Sequence, residues 1–152
     1  MKHKFLLDEN VLYHYVKGVD AHDNPDSTAT ELILLIGKNC HSITIDSKLW
    51  QKYWTHLQHL QRKRPKALEP LFFITQLMKN SAKASWESAD APELPPEVVI
   101  PREDDHVVRA ALISHPLVVT ADEELKDAIN NQPALSLRAL TLHEAIELAK
   151  EQ

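Results

Sequence analysis

The chain predicts a three-layer α/β/α sandwich around a mainly parallel central sheet of four or five strands. Three observations lead there. Short apolar, β-branched runs alternate with helix-length amphipathic segments along the chain. The segments between successive strands are long enough for crossovers, which parallel strands need. The 152 residues are 43% hydrophobic and 26% charged, which is enough apolar material for one real core.

The elements follow in order. Phe5-Leu6-Leu7, ending in Asp8, reads as a short buried strand. Val11 to Lys17 is helical and stops at Gly18. Val19 to Ser27 is a polar loop. Ser27 or Thr28 can cap a second helix carrying Leu32, Leu35 and Ile36. Ser42-Ile43-Thr44-Ile45 alternates and is β-branched, so it is a strand. Asp46 or Ser47 can cap a long helix with Leu49, Trp50, Tyr53, Trp54, Leu57 and Leu60 at helical spacing, ended by Pro65. Leu68 to Met78 is a further helix.

Ser81 to Pro101 carries Pro92, Pro95, Pro96 and Pro101 and reads as an extended loop, in which Val98-Val99-Ile100 can add a short strand. Asp104 to Ser114 is a helix, Leu117-Val118-Val119-Thr120 a buried strand, and Asp122 to Asn130 a helix with an acidic first turn. Leu137 to Leu140 is the last strand. Thr141 and Glu144 form a capping box for the final helix. No repeat or boundary divides the chain. The expectation is a single domain over 1–152 with a Pro-rich internal loop at about 81–101.

Composition removes several classes of function. The 17 basic and 22 acidic residues give a net charge of −5, opposite in sign to a duplex-wrapping or polybasic membrane protein. With only Gly18 and Gly37, the chain cannot build a Walker loop, a dinucleotide fingerprint or a glycine-framed nucleophile elbow. The lone Cys40 excludes an internal disulfide and any multi-cysteine metal site, and it fits a reducing cytoplasm. The opening apolar run ends at Asp8 after three residues, too short for a signal segment. Leu32 to Ile36 is far short of a membrane span. The expectation is a cytoplasmic protein with no membrane partner.

Ligands of open α/β sheets bind beyond the carboxyl ends of the strands. Asp8 stands at one such end, with Asn10 two residues on. Asp46 ends the second strand. Thr120 and Asp122 follow the strand from Leu117. The helix preceding that strand opens with Asp104 and Asp105 and runs back along the sheet, which brings its N-terminus to the same edge. Carboxylates from distant positions therefore converge. Like charges held together need a cation, and hard oxygen ligands suit Mg²⁺ or Mn²⁺.

At these residues the chain resembles a family. Phe5 to Leu12 looks like the opening strand and turn of PIN-domain ribonucleases. Asp104-Asp105-His106-Val107-Val108-Arg109-Ala110-Ala111-Leu112, then Val118-Val119-Thr120-Ala121-Asp122-Glu123-Glu124-Leu125, is similar to their third and fourth acidic motifs. Ile43-Thr44-Ile45-Asp46 to Tyr53 is similar to the second strand and following helix. The likeness spans residues 5 to 126, with 81–101 unmatched.

The resemblance implies a PIN-like sandwich and a metal-dependent endoribonuclease. Asp8, Asp104 and Asp122 would be the catalytic metal ligands, and water on Mg²⁺ or Mn²⁺ the nucleophile. Asn10 and Thr120 would support them by hydrogen bonding. The resemblance also implies RNA as partner, and toxin-type members restrained by an inhibitory protein partner. PIN proteins often form homodimers, which the tryptophan-bearing helix could serve.

One position departs from the family, which places a glutamate just before the tyrosine of the helix after the second strand. Here Lys52 precedes Tyr53, and a lysine cannot bind Mg²⁺. Three readings stay open. Asp46 substitutes for the missing acid; Lys52 takes the place of a second metal; or the protein has lost turnover and binds RNA or a partner as a catalytically weakened PIN-like protein.

Each residue also has a plainer role. Asp8, Asp46 and Asp122 can serve as helix caps, Asp104 and Asp105 as first-turn acids, and Glu31 as solvated surface. Arg62, Lys63, Arg64 and Lys66 form the concentrated basic patch, which can hold RNA phosphates or simply end a helix favourably. His56 and His59 share a helix face, but His143-Glu144 lacks the second histidine of a zinc protease motif. His106 reads as an exposed helix residue. Asn10 stands where an aspartyl phosphatase needs a second aspartate.

Overall fold

A computed structural model describes residues 1–63, 68–87 and 90–151. Five parallel strands form one sheet: β1 (Lys4–Leu7), β2 (Ser42–Asp46), β3 (Ala84–Glu87), β4 (Leu117–Val119) and β5 (Arg138–Leu140), in the order β3-β2-β1-β4-β5. Around it lie α1 (Glu9–Lys17), α2 (Thr28–Lys38), α3 (Ser47–Lys63), α4 (Leu68–Lys79), α5 (Asp105–Ser114), α6 (Glu123–Asn130) and α7 (Leu142–Ala149). This is the three-layer α/β/α sandwich expected. β1 is central because its three apolar residues can be buried on both faces, as parallel strands require.

The topology sets up the site. The chain builds outward from β1 to β2 and β3, then returns to β1's other edge with β4. The strand order therefore reverses between β1 and β4, where α/β sheets leave a crevice. Register is fixed by the pairs Phe5–Leu117, Leu6–Val118 and Leu7–Val119. The next residue on each strand is Asp8 and Thr120, so the two leave the sheet side by side.

Packing follows the hydrophobic periodicity. α3 buries Leu49, Tyr53, Leu57 and Leu60, while α5 buries Val107, Val108, Ala110 and Ala111. Gly18 closes α1 in the left-handed region at φ 65°, which a side chain would strain. Thr141 and Glu144 form the expected capping box of α7. Among the described residues, no helix is long and apolar enough to cross a membrane.

Four local expectations differ. β3 lies inside the 81–101 stretch read as a loop. It is an edge strand pairing only with β2, held also by Trp86 Nε1 donating to the Met78 carbonyl at 3.0 Å. Val98–Ile100 forms no strand. The Gln132 side chain takes the place of a strand partner, accepting from Val99 N at 2.6 Å and donating to Val99 O at 2.9 Å. Ser27 holds the N-cap position of α2 but makes no side-chain capping bond; Asp26 Oδ1 instead accepts from Thr28 N at 2.8 Å. The fourth is His106, half-buried instead of exposed. Pro65, read as the end of α3, lies outside the described residues.

Candidate active site

Asp8 is 5% exposed at the end of β1. Its Oδ1 accepts from Glu9 N at 2.7 Å, and its Oδ2 accepts from Thr120 Oγ1 at 2.7 Å. Burial raises the pKa of this carboxyl, while these hydrogen bonds pull it back. The adjacent Glu9 charge pushes it up further.

Thr120 is the hub of the arrangement. Its Oγ1 accepts from Asp122 N at 3.1 Å and from Asn10 Nδ2 at 3.3 Å. Asn10 Oδ1 in turn accepts from Ala121 N at 3.1 Å. The first residues past β1 and β4 are thereby laced together through Asn10 and Thr120. Asp122 caps α6, its Oδ1 accepting from Glu124 N at 3.0 Å and Leu125 N at 3.2 Å.

Asp104 differs from these two, since its side chain makes no capping bond to α5. It ends a 3₁₀ turn, Arg102–Asp104, that leads into the helix. Its carboxyl pKa is raised to about 6, first by burial, then by the charges of Asp8, Asp122 and Glu103, against a smaller opposing effect of His106. Asp104 thus stands within electrostatic reach of both Asp8 and Asp122, although 114 residues separate those two in sequence. Among the described residues, no three His, Cys, Asp or Glu side chains form a group that could hold a metal ion.

Asp46 is 8% exposed, and its Oδ1 caps α3 by accepting from Leu49 N at 2.7 Å. Lys52 is exposed on α3, and its charge helps lower the pKa of Glu9. Arg62 and Lys63 are exposed at the far end of α3. Arg64 and Lys66 lie outside the described residues.

Two features of the rim went unread in the sequence. Glu9 hydrogen-bonds His106, joining α1 to α5 beside the acids; this bond is the largest cause of the lowered Glu9 pKa. The second is Tyr53, whose hydroxyl is buried without a hydrogen-bond partner among the described residues. Burial raises its pKa well above the usual value, and Asp8, Glu9 and Asp46 add to this. The available signals were the adjacency of Glu9 to Asp8 and the two-residue offset of His106 from Asp104.

No family model matches the chain, and no curated protein sequence matches it significantly. Solved structures do match. The crystal structure of VapBC2 from Rickettsia felis bound to a DNA fragment from their promoter contains a similar chain. The alignment covers 91% of the present chain and 98% of that one, with a TM-score of 0.54 and 15% identity.

The fold is PIN-like. A PilT N-terminus domain protein from the archaeon Sulfolobus solfataricus P2 also aligns, over 98% of this chain and 95% of that one, with a TM-score of 0.42 and 12% identity. The PIN-like frame accounts for the layer order and for the strand reversal that lies beneath Asp8 and Thr120.

Proposed function

We propose that the chain is a Mg²⁺- or Mn²⁺-dependent endoribonuclease of the toxin type, a hydrolase acting in the cytoplasm. One observation carries the reading: three aspartates from distant positions share an electrostatic field at the sheet's switch point, and one of them is driven to a pKa of about 6. Unlike Asp8 and Asp122, Asp104 makes no capping bond to its own helix. The helix dipole favours an acid at that end of α5, but the raised pKa means that keeping it ionised there costs the fold stability.

The donor set is chemically suited to the ion, because carboxylate oxygens are the hard ligands that Mg²⁺ and Mn²⁺ take. Asp8, Asp104 and Asp122 would hold it, drawing together as its charge replaces their repulsion. When bound, the ion supplies Lewis-acid stabilisation of the phosphoryl oxygens and a water of lowered pKa.

The remaining work falls to the chain itself. Thr120 and the Glu9 amide fix the orientation of Asp8. Asn10 ties that arrangement to the turn before Asp122. Arg62, Lys63, Arg64 and Lys66 would hold RNA phosphates away from the acids. An inhibitory protein partner and a homodimer belong to the same toxin-type reading.

A second reading is favoured by one observation: no three metal-type ligands are already gathered among the described residues. On that reading the protein is a catalytically weakened binder of RNA or of a partner, as Lys52 suggests. Calorimetry with Mn²⁺ separates the two without knowledge of the substrate. Saturable binding to the wild type, abolished in Asp104→Asn, supports the nuclease. A folded wild type that binds no Mn²⁺ at millimolar concentration favours the weakened form.

A further inference from the structure

We infer that one face of α3 is a track for the phosphodiester backbone of single-stranded RNA, leading to the acidic rim. The residues are Lys48, Lys52, His56, His59 and Lys63, at successive spacings of 4, 4, 3 and 4. Such spacing places all five on one helix face. At 1.5 Å per residue the stripe is about 22 Å long, with a basic side chain roughly every 5–6 Å.

The structure puts this stripe in a groove. A depression of about 750 Å³ is lined by Lys48, Lys52, His56 and His59 and reaches Glu9 at the rim. A second, of about 490 Å³, shares both histidines and runs on to Lys63. The two depressions adjoin at His56 and His59, along the side of α3 that faces α1. Lys48, Lys52 and Lys63 are exposed, and none is in an ion pair among the described residues. The Tyr13 ring lies on the α1 side, its centroid 5.5 Å from that of His56. Lys17 Nζ lies over the same ring, 4.7 Å from its centroid.

Charge argues for an anionic occupant. The whole chain carries −5, yet among the described residues Glu9 is the only carboxylate lining these depressions, and it is already bonded to His106. The choice of RNA over an acidic peptide rests on the nuclease reading, since the groove reaches Glu9, the residue next to Asp8. A polyanion approaching three carboxylates is repelled unless cations hold it on the way in. On this view Lys52 does not spoil the rim; it is the last cation of the approach. The track also extends the basic patch back along the helix from Lys63.

The test is binding without turnover. A fluorescein-labelled uridylate 12-mer is titrated with the full chain in EDTA, and anisotropy gives the affinity at several KCl concentrations. The triple variant Lys48→Gln/Lys52→Gln/Lys63→Gln should bind at least tenfold more weakly at low salt. Its log K against log salt should be shallower by about 2, as three lost phosphate contacts on a single strand require. Lys2→Gln/Lys38→Gln/Lys79→Gln removes equal charge elsewhere and should bind like the wild type.

Equal loss in both triple variants, an unchanged slope in the first, or no binding by the wild type would overturn the track. So would a polyglutamate peptide that binds the groove more tightly than the oligonucleotide, which would make the occupant an acidic protein segment. Groove-dependent RNA binding in a chain that takes up no Mn²⁺ supports the track while the nuclease reading falls.

Discussion

Thr120 donates its hydroxyl hydrogen to Oδ2 of Asp8 at 2.7 Å, joining the ends of two adjacent parallel strands across 112 residues of sequence. The hydroxyl is 2% exposed and also accepts from Asp122 N and Asn10 Nδ2. Thr120→Val keeps the shape and removes every one of these bonds. It should destabilise the fold by about 1–3 kcal/mol, because the buried Asp8 carboxylate loses its hydroxyl donor and two part-buried N–H groups lose their acceptor. Thr120→Ser should recover most of that. Urea denaturation of the three proteins checks it.

Asp104→Asn should stabilise the metal-free protein at pH 7. The sign follows from the direction of the shift. A carboxyl whose folded pKa is about 6, against 3.8 in the unfolded chain, makes the folded state bind more protons between those values. Stability from this group therefore falls as pH rises from about 4 to 6 and stays low above. Solvent around the partly exposed group screens the effect, so the gain in Tm at pH 7 should be on the order of 1–2 °C. It should vanish near pH 3.5. Thermal melts across pH in EDTA give the answer; a variant less stable than wild type at pH 7 would contradict it.

The Glu9–His106 contact should show measurable coupling in a double-mutant cycle of Glu9→Gln and His106→Gln. Both side chains are half-buried, so about 0.5–1 kcal/mol is expected at pH 6. Glu9 has a lowered pKa, so its contribution is present above about 4.5 and is lost as pH falls through its folded value. Repeating the cycle at successively lower pH should show the coupling shrink as Glu9 becomes protonated.

Tyr53→Phe should be neutral or stabilising by up to about 1 kcal/mol, because it removes a buried hydroxyl that has no partner among the described residues. Its neighbours Asp8, Glu9 and Asp46 are all acceptors, so the hydroxyl can only gain by turning its proton toward one of them. A loss above 1 kcal/mol by urea denaturation would mean that it does so in solution.

The fold was legible where burial imposes a pattern. Leu117–Val119 is a continuous apolar run because its sheet position is covered on both faces, and Leu49, Tyr53 and Leu57 repeat at helical spacing for a similar reason. β3 was not legible, since Ala84-Ser85-Trp86-Glu87 is an edge segment with one neighbour and little need for apolar character. The alignment of Asp8 with Thr120 could be read from strand ends alone. The Glu9–His106 bond could not, because it joins two helix N-termini 97 residues apart through side chains that each look like surface. Helical periodicity foretold the burial of Tyr53 but carries no information about its hydroxyl.

The placement of β1 between β2 and β4 has a consequence for biosynthesis. Asp8 leaves the ribosome well before Thr120 and Asp122, which follow the strand on the other side of β1. At typical elongation rates roughly 6–23 s separate Asp8 from Asp122. During that interval one side of β1 has no neighbour and the acidic rim lacks a member. A nascent chain of this topology cannot assemble the acidic rim until β4 has docked beside β1.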